Sequence, residues 1–160
     1  MPKKSLKNIL TKFSFGATSS IITFLGLIIG LDGLTNPKPG IIGGLLLIAL
    51  ADNISDTLGI HIYQESESST QKEVWFSTAT NFLTRFLVSL IFIFIILIFP
   101  INTAAILSII YGLLLLSVMS YFIAKNKKIN PFLAILEHIS IAVVVIIASH
   151  FLSQIILKRI

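Results

Sequence analysis

Long apolar runs, broken by short polar or proline-containing stretches, dominate the chain. A bilayer core about 30 Å thick is crossed by roughly 20 apolar helical residues. Phe13 to Leu31 carries no charge and predicts a first span, closed by the turn-rich stretch from Asp32 to Gly40. Phe86 to Ala124 is also free of charge and would be about 58 Å long as one helix, too much for one crossing. It breaks once, at Phe99-Pro100-Ile101-Asn102-Thr103, which reads as a tight helical hairpin with Asn102 or Thr103 capping the second helix. A last span enters through Asn130-Pro131 and contains the run from His138 to Leu157.

One segment is ambiguous. The apolar run from Ile41 to Ala51 covers half a bilayer and then meets Asp52, Asn53, Ser55 and Asp56. No proline or loop cluster stops a helix before Glu65, so a full span over Ile41–Gln64 is favoured over a short re-entrant segment. The expected architecture is a single all-α integral membrane domain of five transmembrane helices, over about 13–34, 41–64, 79–99, 103–124 and 132–157.

Charge sets the orientation. With five spans, one side holds Lys3, Lys4, Lys7, Lys12, Lys72, Arg85, Lys125, Lys127 and Lys128, and the other only Lys38, Lys158 and Arg159. Basic residues collect on the cytoplasmic side, so the amino terminus is expected inside and the carboxyl terminus outside, in a prokaryotic cell membrane. A four-span arrangement erases this bias. The basic start resembles a signal peptide's n-region, but the apolar run after it is long enough to span, so no cleaved leader is expected.

Composition agrees. Of 160 residues, 55% are hydrophobic and 12% charged, against about 25% charged in soluble domains, and the mean hydropathy is +0.96. Too little charge remains to solvate a globular surface. The membrane-side bias accounts for the net charge of +5 without a nucleic-acid partner. With no cysteine, disulfides, thiolate metal sites and Cys nucleophiles are excluded.

Candidate chemistry is confined to polar residues inside the spans. An Asp at a helix centre costs about 2.5–3.5 kcal/mol to insert. Asp52 and Asp56 lie four residues apart, on one face and about 6 Å apart along the axis, with Asn53 beside them. Two carboxylates this close resist double ionisation, so the pair is suited to exchange a proton or accept a cation. The alternative is a structural polar seam bonded to another helix or a second subunit. Small and hydroxyl residues (Gly16, Ser19, Ser20, Thr23, Gly26 and Gly30) recur along the first span and offer an opposite wall.

His61 lies about 140° around the helix from Asp56, outside this cluster, but four residues from Glu65. With Glu67 and Glu73 nearby, it is a weaker candidate cation mouth, or simply a solvated helix end. Arg85 reads as an interface anchor or a partner for Glu137, Glu137 and His138 as snorkelling or lysine-paired groups, and Trp75 as part of an aromatic belt. Enzyme chemistry is not expected: both Asp residues share one helix, and Gly16-Ala17-Thr18-Ser19-Ser20 is no nucleophile elbow.

The segments Ser19–Gly30 and Ala49–Gln64, with Asn130-Pro131-Phe132 opening the last helix, resemble the vacuolar iron transporter family of membrane cation carriers. The resemblance covers nearly the whole chain. It implies that family's fold and a homodimer with an ion pathway at its twofold axis, between the first two helices of each subunit. The family's metal-facing Asp, Met and Glu fall on Ser19, Ile60 and Gln64 here, and its long acidic helices shrink to a stretch with Glu65, Glu67 and Glu73. The expected function is transport of a divalent metal cation, iron- or manganese-like and proton-coupled. Asp52 and Asp56 would hold the ion, Asn53, Ser19, Ser20, Thr23 and Gln64 would line its path, and His61, Glu65 and Glu67 would form the cytoplasmic mouth. No permanent cofactor is expected. The alternative is a non-transporting membrane scaffold that retains the fold.

Overall fold

The computed structural model describes residues 2–67 and 70–158, with side chains from Gly16 onward. The side chains of Lys3, Lys4, Lys7 and Lys12, and all of Arg159, therefore lie outside the described residues. The described chain is helical: α1 (Pro2–Leu31), α2 (Pro37–Leu47), one π-helical turn (Ile48–Asp52), α3 (Asn53–Ser66), α4 (Gln71–Ile98), α5 (Ile101–Lys127) and α6 (Pro131–Leu157). Among the described residues, four helices are long and apolar enough to cross a membrane, with a shorter apolar stretch at Gly16–Leu31. The first of the four is the rod Pro37–Ser66, in which α2, the π turn and α3 run on without a break. Asp52 sits midway along it.

The ends follow local chemistry. Asn36 takes a left-handed conformation (φ 62°), and Pro37 starts α2 where its missing N–H costs nothing. A capping box opens α4: the Glu73 N–H donates to Thr70 Oγ1, and the Thr70 N–H donates to Glu73 Oε2. At the α4–α5 hairpin neither Asn102 nor Thr103 caps; α5 starts straight after Pro100, with no side-chain cap. Lys38 instead closes α4 from outside, its Nζ donating to the carbonyls of Leu97 (2.9 Å) and Phe99 (3.2 Å). Lys128 at φ 57° ends α5, and Asn130 Oδ1 accepts from the Phe132 N–H to start α6.

The core forms around α1, which packs against α4, α5, α6 and α2. Ala17, Ile21, Phe24, Leu25 and Ile28 are buried on it, and Phe24 stacks on Phe92 of α4 with centroids 5.5 Å apart. Glycines set the close approaches. A Cβ on Gly112 of α5 would meet Leu25 at 2.9 Å, and one on Gly26 would meet Val145 and Ser149 of α6 at 3.2–3.3 Å. The Gly26–Gly30 stripe therefore serves the α1–α6 contact and does not face the acidic pair. The rod from Pro37 to Ser66 packs chiefly along α4. Large apolar side chains such as Leu87, Phe94, Val144 and Phe151 point outward, as a lipid-facing surface requires.

Candidate functional site

Buried positions on the Pro37–Ser66 rod fall at Ile41, Leu45, Ala49, Asn53 and Thr57, a strict interval of four. A regular α-helix drifts by about 40° at each such step. The π turn at Ile48–Asp52 is wider and absorbs part of the drift, so the stripe continues onto α3 facing α4. Along that stripe the residues change from apolar to polar at Asn53, next to Asp52.

The partner of the acidic pair is Arg85. This guanidinium is 1% exposed and bridges both carboxylates: Nη2 donates to Asp52 Oδ2 at 2.5 Å, and Nη1 lies 2.6 Å from Asp56 Oδ2. The second contact is an ion pair without hydrogen-bond alignment, and Nε has no partner. Arg85 is thus neither an interface anchor nor a partner for Glu137, and it drops out of the loop charges on which the expected orientation was counted. Its positive charge also offsets the carboxylate repulsion expected from spacing alone.

Three of the expected wall residues separate. Ser19 Oγ donates to Asp56 Oδ2 at 3.1 Å and so belongs to the site. Thr23 turns its hydroxyl back onto the Ser19 carbonyl, and Ser20 is buried with no hydrogen-bond partner. The principal wall opposite the acids is α4, not α1. It carries a chain of bonds invisible to a scan for acids: Asn53 Nδ2 donates to the Phe82 carbonyl (3.2 Å), Thr57 Oγ1 to Asn53 Oδ1 (3.4 Å) and Asn81 Nδ2 to Thr57 Oγ1 (3.3 Å). Gly16 lets α1 close over this seam, for a Cβ there would lie 2.7 Å from Asn81 Oδ1 and 3.2 Å from Arg85 Cγ.

Sequence reasoning missed Arg85, Asn81 and Thr57 as site residues. A signal existed: Ser77, Asn81, Thr84 and Arg85 recur at three- and four-residue intervals, and Arg85 falls inside the span expected over 79–99.

The remaining candidates lie elsewhere. His61 donates to or accepts from Thr78 Oγ1 (2.9 Å), meets Glu65 at 3.4 Å and packs on the Trp75 edge, one face away from the acids. Glu67 is the exposed residue that closes α3, and Gln64 is half-buried near the same end. His138 is bound inward to Ser120 Oγ (2.7 Å), not to a lysine. Among the described residues no three His, Asp or Glu side chains converge as a metal site would need.

The arrangement is a charged cluster of one Arg and two Asp residues midway along an apolar rod. With both carboxylates ionised it holds one net negative charge. The Arg is sealed, while the Asp side chains keep 41% and 36% of their surface open on the far side. No known protein family, characterised protein or solved structure matches the chain.

Proposed function

We propose that the protein is a cation-coupled membrane transporter whose exchange site is the Asp52–Arg85–Asp56 cluster. One observation carries the reading: a buried guanidinium clamps two carboxylates that remain half open in the middle of a membrane-length helix. Intramembrane ionisable groups mark ion or proton paths more often than packing. A proton makes the smallest demand on this geometry, because neutralising one carboxylate leaves Arg85 paired with the other and the cluster without net charge. A divalent metal, the cargo implied by the family resemblance, would approach from the open side, since the contacts of Arg85 and Ser19 fall on Oδ2 of each carboxylate. Cation and guanidinium then share the same two carboxylates, which couples occupancy to the packing of α3 on α4.

The open sides of Asp52 and Asp56 call for cover, since acyl chains cannot solvate them. Ala51, Ser55 and Gly59 are exposed beside them at four-residue intervals, small enough for another helix to approach closely. This supports a homodimer joined along α3, with the two exchange sites near its axis.

The test is flux in proteoliposomes, reading interior pH and uptake of ferrous or manganous ion. Asp52→Asn and Asp56→Asn are each expected to lower flux about tenfold or more, equivalent to about 1.4 kcal/mol of lost ion stabilisation. Unchanged flux in both variants overturns the site, and no flux with any cation overturns the class. The scaffold reading draws support from the Asn53–Thr57–Asn81 bonds, which end at an unpartnered Asn81 Oδ1. It predicts that the carboxylates of Asp52 and Asp56 are dry, so a water-filled cavity reaching those side chains argues against it.

A further inference from the structure

Beyond the ion pair, a groove of about 570 Å3 lies between α3 and α4 on the outer surface of the bundle. Its walls are Ile54 and Leu58 of α3 and Ala79, Phe82 and Leu83 of α4. Two threonines also line it but turn their hydroxyls away: Thr57 bonds to Asn53 and Asn81, and Thr78 to the Val74 carbonyl and His61. The groove therefore presents methyl groups along its length. Its polar end lies where His61 and Trp75 meet, beside the α3–α4 turn.

Three features identify the occupant. Ile54, Leu58 and Leu83 are each more than half exposed, so the groove opens sideways to the hydrocarbon of the bilayer and not to water. From Trp75 to Leu83 it runs about 12 Å along α4, close to the roughly 15 Å hydrocarbon depth of a single leaflet. An indole at the end nearest the turn matches the headgroup level, where tryptophan N–H groups find polar partners.

We infer that this groove is a binding site for one acyl chain of a phospholipid, held in the leaflet on the side of the α3–α4 turn. The chain enters beside His61 and Trp75 and ends against Ile54 and Leu83. It lies one side chain from the exchange site, because Thr57 and Phe82 line the groove and also hold Asn53 in place. The inference stands whether or not the cluster moves ions.

Trp75 is the protein's only tryptophan, so its fluorescence reports on this groove alone. In vesicles of phosphatidylcholine containing a graded fraction of acyl-brominated phosphatidylcholine, quenching is expected to saturate at a low brominated fraction. Quenching that only tracks the bulk fraction overturns the site. Native mass spectrometry of the detergent-extracted chain is expected to retain one phospholipid per copy. Ala79→Phe, which fills the groove, should lower that retention at least fivefold, while Val144→Phe on the exposed face of α6 leaves it unchanged. Equal retention in both variants overturns the proposal, as does crosslinking of two copies through a photoreactive group at Ala79.

Discussion

At the scale of the residue, the decisive side chain is Arg85. Removing one partner of a buried ion pair leaves the others uncompensated and costs about 3–5 kcal/mol. Arg85→Met is expected to destabilise the protein by about that amount, because Asp52 and Asp56 would then face each other at mid-span unpaired. Thermal unfolding in detergent checks this, and Asp52→Asn combined with Arg85→Met should recover part of the loss. Gly16→Ala should cost about 1–3 kcal/mol by overpacking, since its Cβ would press on Asn81 and Arg85. The acids were legible in the sequence because charge in an apolar run is conspicuous. Their partner was less so, since Arg85 stands near the start of its span, where basic residues normally reach the interface.

At the scale of the element, the π turn is the feature that organises the site. It places Asp52 and Asp56 on the face that meets Arg85 while Ile41 and Leu45 stay buried upstream. A π turn accommodates one extra residue, so deleting Leu50, which is lipid-facing, should leave a regular α-helix with both faces retained. Inserting an alanine after Leu50 should instead turn α3 by about 100° and separate Asp52 from Arg85. Melting temperatures of the two variants give the check: near the parent for the deletion, well below it for the insertion. Helix existence was readable from apolar runs and prolines; the Asn130 start and the Pro100 break are both local. The π turn was not readable, because it arises from matching a four-residue stripe to a straight neighbour and leaves no residue signature.

For the whole molecule, the described helices pack around α1, and the acidic cluster lies toward the outside of the rod that flanks α4. That position makes the dimer testable. The chain has no native cysteine, so Gly59→Cys alone should crosslink two copies in membranes, while Val144→Cys on α6 should not. Failure of both to crosslink would leave the carboxylates facing lipid and would argue against a dimer through α3.

The sequence by itself determined the solvent of this protein and its run of helices, because both depend on local sums: apolar length, charge density, proline and turn residues. It also placed two acids where hydrocarbon should be. The tertiary structure decided what those acids meet. Pairing across 29 to 33 positions depends on how helices rotate and cross, and that is set by glycine contacts, a widened turn and the fit of whole faces.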